Sequence, residues 1–294
     1  MKILLAIDGS EYSEGAAKFL TRLNLSPDDE IAVLHVISEV PFKDDRESYY
    51  AKLKQIKQEI APRILDSAIN TLKGIDAKIS TALLDGYPDK AIIDAALDSD
   101  TDLIVMGSRG LKGIKSFLIG SITRSVAINS PKSVLVIKPP QWKTAGALKI
   151  LYATDGSTYA AETGRLLTSM PFPEDTEITI VNVIGSAHID IPERYWMEVN
   201  EKIKEEVAKT REIEFGASDK IIEDAREMLR DRFSDIKVSI KFGDPSLEIL
   251  NEAERLNADI VAVGSSGMRG VKGMLGSVAR SILGHSEYSV LIGK

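Results

Sequence analysis

The chain has 294 residues, 44% of them hydrophobic and 28% charged, with a formal net charge of −7 and no cysteine. That length and apolar content suffice for one large core or two ordinary ones, and the missing cysteines exclude disulfides, thiolate nucleophiles and thiolate-held metals. The acidic balance argues against a broad nucleic-acid-binding face, which needs clustered Lys and Arg, and no run of about eighteen apolar residues is present to span a bilayer.

In chain order, MKILLAIDGS passes straight into a strand pattern over residues 3–7 with no small-residue cleavage site, which points to the cytoplasm. Asp8-Gly9-Ser10 comes next, and then EGAAKFLTRL after Ser13, whose apolar side chains recur at three and four residues and form one helical stripe. Strands are expected over 31–36 and 77–83, separated by a long charged segment that reads as a solvated amphipathic helix covering the sheet, with Tyr49 and Tyr50 as candidate partner anchors. Gly86-Tyr87-Pro88 then opens a helix through DKAIIDAALD, with Pro88 where a helix start tolerates it. A fourth strand over 103–106 runs into Gly107-Ser108-Arg109-Gly110-Leu111-Lys112-Gly113-Ile114-Lys115, Gly120-Ser121 precedes a helix from Ile122, and the fifth strand covers 134–137. All five are apolar enough to be covered on both faces.

PPQWKTAG then breaks the pattern, with Trp142 read as packing over a domain junction. Beyond it the order repeats: ILLAIDGS at 3–10 returns as ILYATDGS at 150–157, DLIVMGSRG at 102–110 as DIVAVGSSG at 259–267, and SVLVIK as the closing SVLIGK. Gly243-Asp244-Pro245 answers to the first Gly-x-Pro, and matching strands are expected at 178–183, 238–242, 260–263 and 290–292. Asp8 and Asp155 are 147 residues apart and Gly107 and Gly264 are 157 apart, so the second copy carries ten extra residues in its middle, where Tyr195 and Trp196 are further candidate anchors. The chain is therefore expected to be α/β, with two repeated doubly wound domains at 1–140 and 148–294 joined by a linker at 141–147, each a five-stranded parallel sheet flanked by helices.

In such sheets ligands sit outside the carboxyl ends of the strands. Two loops of the first copy qualify, the one holding Asp8 and the glycine loop from Gly107, whose Arg109, Lys112 and Lys115 lie among glycines ahead of a helix N-terminus, a setting suited to phosphate. Ser10 is read as a helix cap and His35 as a satisfied, half-buried imidazole within a strand. His35, His188 and His285 share no ligand spacing, so no metal site is indicated. G-x-G-x-x-G is absent, Gly113-Ile114-Lys115-Ser116 misses a P-loop, and Gly264-Ser265-Ser266-Gly267 falls one residue short of a nucleophile elbow. No catalytic residues are assigned.

Gly107, Gly110, Gly120 and Ser121 fill G-x2-G-x9-G-[ST] without a gap. Together with the Asp-Gly-Ser turns and the Gly-x-Pro sites, this makes the chain resemble a tandem universal stress protein over nearly its whole length. The resemblance implies a strand order of 3-2-1-4-5 and ATP or AMP bound between the ends of strands one and four; whether Mg2+ accompanies it stays open, although Asp8 and the phosphates could share one. By that resemblance Ala6, Ile7 and Asp8 line the adenine and ribose side and Val36 contacts the base. Gly107, Arg109, Gly110, Gly120, Ser121, Ile122 and Thr123 hold ribose and phosphates, and Met106 belongs to the same nucleotide-binding set. The matching positions in the second copy are Ala153, Thr154, Asp155, Val183, Val263, Gly264, Ser266, Gly267, Gly276 and Ser277. One departure stands out: eight residues lie between Gly267 and Gly276 where the first copy has nine, and in a helix one missing residue rotates the downstream residues by about 100°. The resemblance also implies an antiparallel pairing of the last strands, so that one chain imitates a dimer; further association into a homodimer stays open.

Three classes of function remain: a regulatory or stress-response module governed by bound nucleotide, which is the reading chosen; a slow ATP-hydrolysing or nucleotidyl-transferring enzyme; and a nucleotide-free scaffold for an unidentified protein partner.

Overall fold

A computed structural model describes residues 1–39, 47–109, 119–138, 146–185, 201–268 and 274–294. The first half contains β1 (Lys2–Ile7), α1 (Glu11–Leu20), β2 (Glu30–Ser38), α2 (Glu47–Thr71), β3 (Lys78–Gly86), α3 (Pro88–Asp98), β4 (Leu103–Gly107), α4 (Ser121–Asn129) and β5 (Ser133–Ile137). The second contains β6 (Lys149–Ala153), α5 (Thr158–Ser169), β7 (Glu177–Ile184), α6 (Glu201–Leu229), β8 (Ile236–Phe242), α7 (Pro245–Leu256), β9 (Ile260–Gly264), α8 (Ser277–His285) and β10 (Ser289–Gly293).

Each half is a parallel sheet of order 3-2-1-4-5, and the two join into one ten-stranded sheet, β3-β2-β1-β4-β5-β10-β9-β6-β7-β8. The join is the expected antiparallel one, with Val134, Leu135 and Val136 opposite Ile292, Leu291 and Val290. It makes a single continuous sheet rather than two sheets set back to back, because each last strand supplies the backbone partners the other would otherwise lack. The carboxyl ends of the two half-sheets consequently face opposite edges.

Period-two alternation divides each inner strand between two cores. Ile3, Leu5 and Ile7 pack under α1 and α2 with Phe19, Leu65 and Leu72, whereas Leu4 and Ala6 pack under α3 and α4 with Ile92 and Val126. Both cores run through the junction into the second half, where α5 and α6 cover one face and α7 and α8 the other. The C-terminal end of α1 ties the halves together as well: Arg22 pairs with Asp259 at 3.5 Å, and the Asn24 N–H donates to the Pro171 carbonyl at 2.7 Å.

Two expectations need correction. The outer strand β3 is not covered on both faces, since most of its residues are exposed. It is the sheet edge, and its Lys78, Ser80, Thr81 and Asp85 interrupt the apolar run. Helix α1 begins at Glu11, ahead of the apolar stripe, because Ser10 caps it and the polar first turn belongs to the helix. The long charged segments do form helices on the sheet, α2 burying Ala61, Leu65 and Ala68 and α6 burying Val207, Ile222 and Leu229. Tyr49 and Tyr50 lie in the first turn of α2; Trp142, His188, Tyr195 and Trp196 lie outside the described residues. Among the described residues no helix is long and apolar enough to cross a membrane.

Candidate functional site

At the top of β1 the chain turns through Gly9, whose φ of +79° suits a residue without a side chain. The turn brings Ser10 back onto Asp8: its N–H and its hydroxyl donate to Asp8 Oδ1 at 3.0 and 2.6 Å. The same hydroxyl accepts from the Ser13 N–H at 3.3 Å, so Ser10 is the helix cap expected of it. It also lies 3.4 Å from the Arg109 carbonyl oxygen, bringing the β1 turn and the glycine loop together.

Gly107 ends β4 hard against α1. A Cβ there would lie 2.6 Å from the backbone carbonyl of Tyr12, so only glycine lets strand end and helix start approach this closely. Thr123 reaches down from α4 to donate to the Gly107 carbonyl at 2.8 Å. Backbone bonds also hold the loop edge, the Ser108 N–H on Ile137 O and the Gly120 N–H on Ser108 O, both at 2.8 Å. The Arg109 guanidinium lies 5.7 Å from the centre of the Tyr12 ring, a cation–π contact. Gly120 then caps α4 with extended geometry, φ −65° and ψ 153°, and among the described residues no side chain caps the first turn. Ser10, Ser157 and Asp244 supply such a bond to α1, α5 and α7, whereas Tyr87 supplies none to α3. The first-turn N–H groups and positive dipole end of α4, uncapped by any side chain among the described residues, suit an anion.

The described residues of the predicted first site converge here. Ala6, Ile7 and Met106 are buried strand ends, with Ala6 opposite Met106, Val36 is half-buried near the end of β2, and Ser121 and Ile122 are exposed at the start of α4. Helix α4 starts at Ser121, one residue earlier than expected. Gly110, Lys112 and Lys115 lie outside the described residues.

The second half repeats the frame with different detail. Ser157 donates its N–H to Asp155 Oδ1 at 3.0 Å and caps α5 through Ala160 N. Asp155 also accepts the Met268 N–H on Oδ2 at 3.1 Å, and a Cβ on Gly267 would lie 2.7 Å from that oxygen. Gly264 presses on the backbone of Tyr159 and Ala160 as Gly107 does on α1. Gly276, φ −63° and ψ 163°, caps α8 with no side-chain bond, its N–H on Ser265 O at 2.8 Å. The one-residue deficit therefore does not rotate α8. It falls in the stretch before Gly276, and helix entry is fixed by the same backbone bond in both halves.

Ala153 and Val263 are buried strand ends like Ala6 and Met106, and Val183 is half-buried like Val36. Ser266 stands where the first half has Arg109; its Oγ is buried without a hydrogen-bond partner, a group that a ligand oxygen or water would satisfy. Ala279 replaces Thr123, so the hydroxyl bond to the strand end is missing.

Sequence reasoning missed what holds the residue before each aspartate. The His35 ring Nδ1 is 2.9 Å from the Ile7 carbonyl oxygen, and in the second half Asn182 Nδ2 donates to the Thr154 carbonyl at 2.7 Å. Asn182 in turn accepts from Ser218 at 2.6 Å. The signal was a polar residue at matching points of two apolar strands. Among the described residues no cluster of acidic groups and histidines suited to a metal is found.

The model of the Universal stress protein family matches residues 1–138 and again 147–294. A universal stress protein of Mycolicibacterium smegmatis is 24% identical over 299 residues, covering 99% of this chain and 96% of the relative. One from Methanocaldococcus jannaschii is 30% identical over 141 residues, covering 48% of this chain and 83% of its own. Among solved structures, a universal stress protein from Archaeoglobus fulgidus shares the fold with a TM-score of 0.63 at 24% identity, covering all of this chain and 96% of its own.

Proposed function

The chain belongs to the universal stress protein family, and from that premise and the site geometry we propose that it is a cytoplasmic stress-response module regulated by a bound adenine nucleotide, ATP with its Mg2+ or AMP. The observation that carries the reading is the pair of glycine-capped helices, α4 and α8, which start at the strand ends and whose first-turn N–H groups receive no capping side chain among the described residues. In the first half Gly107 admits the backbone to close contact, Arg109 supplies a cation beside the cradle, and Asp8 stands across it with Ala6, Ile7 and Val36 toward the base.

The second half keeps the helix entry but has Ser266 and Ala279 where the first has Arg109 and Thr123. Losing a charge-assisted contact of about 1.5–3 kcal/mol makes this the weaker site, by roughly ten- to a hundredfold. The reading is of binding rather than turnover: the Ser10 hydroxyl, on Asp8 Oδ1 at 2.6 Å, serves as the cap of α1.

Calorimetric titration of the nucleotide-stripped chain with ATP and Mg2+ tests this. Two unequal binding events per chain, both competed by AMP, are expected. No heat and no competition at millimolar nucleotide would overturn the reading and leave a scaffold.

A further inference from the structure

The residue directly after each last strand is a lysine, and each reaches into the other half. Lys138, directly after β5, donates from Nζ to the carbonyls of Leu283 and Ser286, at 2.8 and 2.5 Å, in the last turn and C-cap of α8. Lys294, directly after β10, donates from Nζ to the Ile128 carbonyl, at 3.3 Å, in the last turn of α4. Their backbone N–H groups meet Ser289 and Ser133 across the junction at 3.3 and 3.2 Å. The arrangement is reciprocal, and α4 and α8 are the two helices whose N-termini form the anion cradles.

We propose that Lys138 and Lys294 are positioning residues that couple the two nucleotide sites, each holding the C-terminal end of the helix whose N-terminus forms the cradle in the opposite half. This rests on the nucleotide reading above. A cation on the last carbonyls complements the negative end of the dipole and fixes the helix along its axis, which favours an anion at the other end. A helix of 9 residues is about 13 Å long, so the lysine acts on the cradle through a rigid rod.

The first site also faces Lys138 directly. The peptide before the lysine accepts the Ser108 N–H through Ile137 O, and Arg109 comes directly after Ser108. Burial foremost, and then the positive field of Arg109, bring the Lys138 ammonium down to about 8, with Glu287 opposing. The other polar groups around it are Arg22, already paired with Asp259, together with Tyr288 and Ser289, all lining one cavity with Phe19 and Ala258. His285, on the last turn of α8, is bonded back to Ser281 O. Burial also brings Lys294 down to about 8.

A phosphate beside Arg109 offsets that positive field, so Lys138 takes up a proton from solvent as the first site fills and grips α8 more firmly. At pH 8 the uptake is at most roughly half a proton per chain, because about half the lysine is already charged.

The test is ATP titration of the full chain at pH 8 in HEPES and in Tris, whose different ionisation heats report proton exchange, for the wild type, Lys138→Met, Lys138→Arg, Lys294→Met and Lys294→Arg. The wild type is expected to take up protons and both Lys138 variants to bind ATP without that uptake; arginine keeps charge and reach but does not titrate. Lys294→Met should weaken the tighter, first-half site by roughly two- to fivefold, with Lys294→Arg restoring it, as expected for one charge at a helix end. Uptake unchanged in Lys138→Arg, or affinity unchanged in Lys294→Met, overturns the coupling while leaving nucleotide binding intact. A wild type that binds no ATP overturns both readings, a distinct result.

Discussion

Gly120 and Gly276 sit where most helices place Ser, Thr, Asp or Asn, and replacing either by aspartate should make the protein more stable and less able to bind nucleotide. Gly120 has φ −65° and ψ 153° and Gly276 has φ −63° and ψ 163°, the extended geometry an N-cap side chain requires. A Cβ on Gly276 would meet Ser266 Cα at 3.4 Å, an ordinary contact. The new carboxylate gains a few tenths of a kcal/mol as a cap and about 0.3–1 kcal/mol from the dipole. About 1 kcal/mol in total raises Tm by about 2 °C in a chain of this size.

Binding moves the other way. A carboxylate about 4 Å from a bound phosphate, at an effective dielectric near 20, costs about 4 kcal/mol per unit charge, roughly a thousandfold in affinity. Thermal unfolding and ATP titration of Gly120→Asp, Gly276→Asp and the double variant are the assay. Each single variant should lose one binding event and the double variant both, while the melting temperature rises. A Gly120→Asp protein that binds ATP like the wild type, or melts lower, would refute the assignment of α4 as the phosphate cradle.

Gly107→Ala should cost about 1–3 kcal/mol in denaturant unfolding, because the methyl would stand 2.6 Å from the Tyr12 backbone and nothing there is a flexible side-chain end. Glu252 is buried between Lys241, at 2.9 Å, and a bidentate Arg255, at 2.9 and 2.7 Å. The Arg255 bonds foremost bring its carboxyl down to about 2 from an ordinary 4.5. A depressed carboxylate gives stability that is complete above the unfolded value and lost as pH falls from about 4.5 through about 2. Glu252→Gln should therefore flatten acid unfolding in that window, and should lower neutral stability by about 2 kcal/mol after allowance for the exposure of Arg255. His35→Asn should fold nearly as well as the wild type, since Asn182 makes the same bond in the second half, whereas His35→Leu orphans the buried Ile7 carbonyl and should cost about 1–3 kcal/mol by chemical unfolding.

The repeat, the ten strands, the helices between them and the family were legible in the sequence, because they are written in local patterns. The apolar runs such as residues 3–7, the Gly-x-Pro ahead of α3 and α7, and the glycines at 107, 110 and 120 all have a composition or a spacing that a linear reading captures. The position proposed for the site follows from the strand ends and the loops that hold Asp8 and Gly107.

What the tertiary structure decided were relations between segments distant in the chain. Whether the missing residue of the second loop turns α8 depended on a single backbone bond from Gly276 to Ser265, and spacing cannot tell a helical stretch from a loop. The exposure of β3 depended on its place at the sheet edge, which its interrupted apolar run tolerates. Lys138 and Lys294 read as polar ends of apolar runs until the antiparallel junction brings each to the far end of a helix in the other half. Burial, helix-end electrostatics and the partners of polar groups are set by neighbours in space, and only the packed halves supply those neighbours.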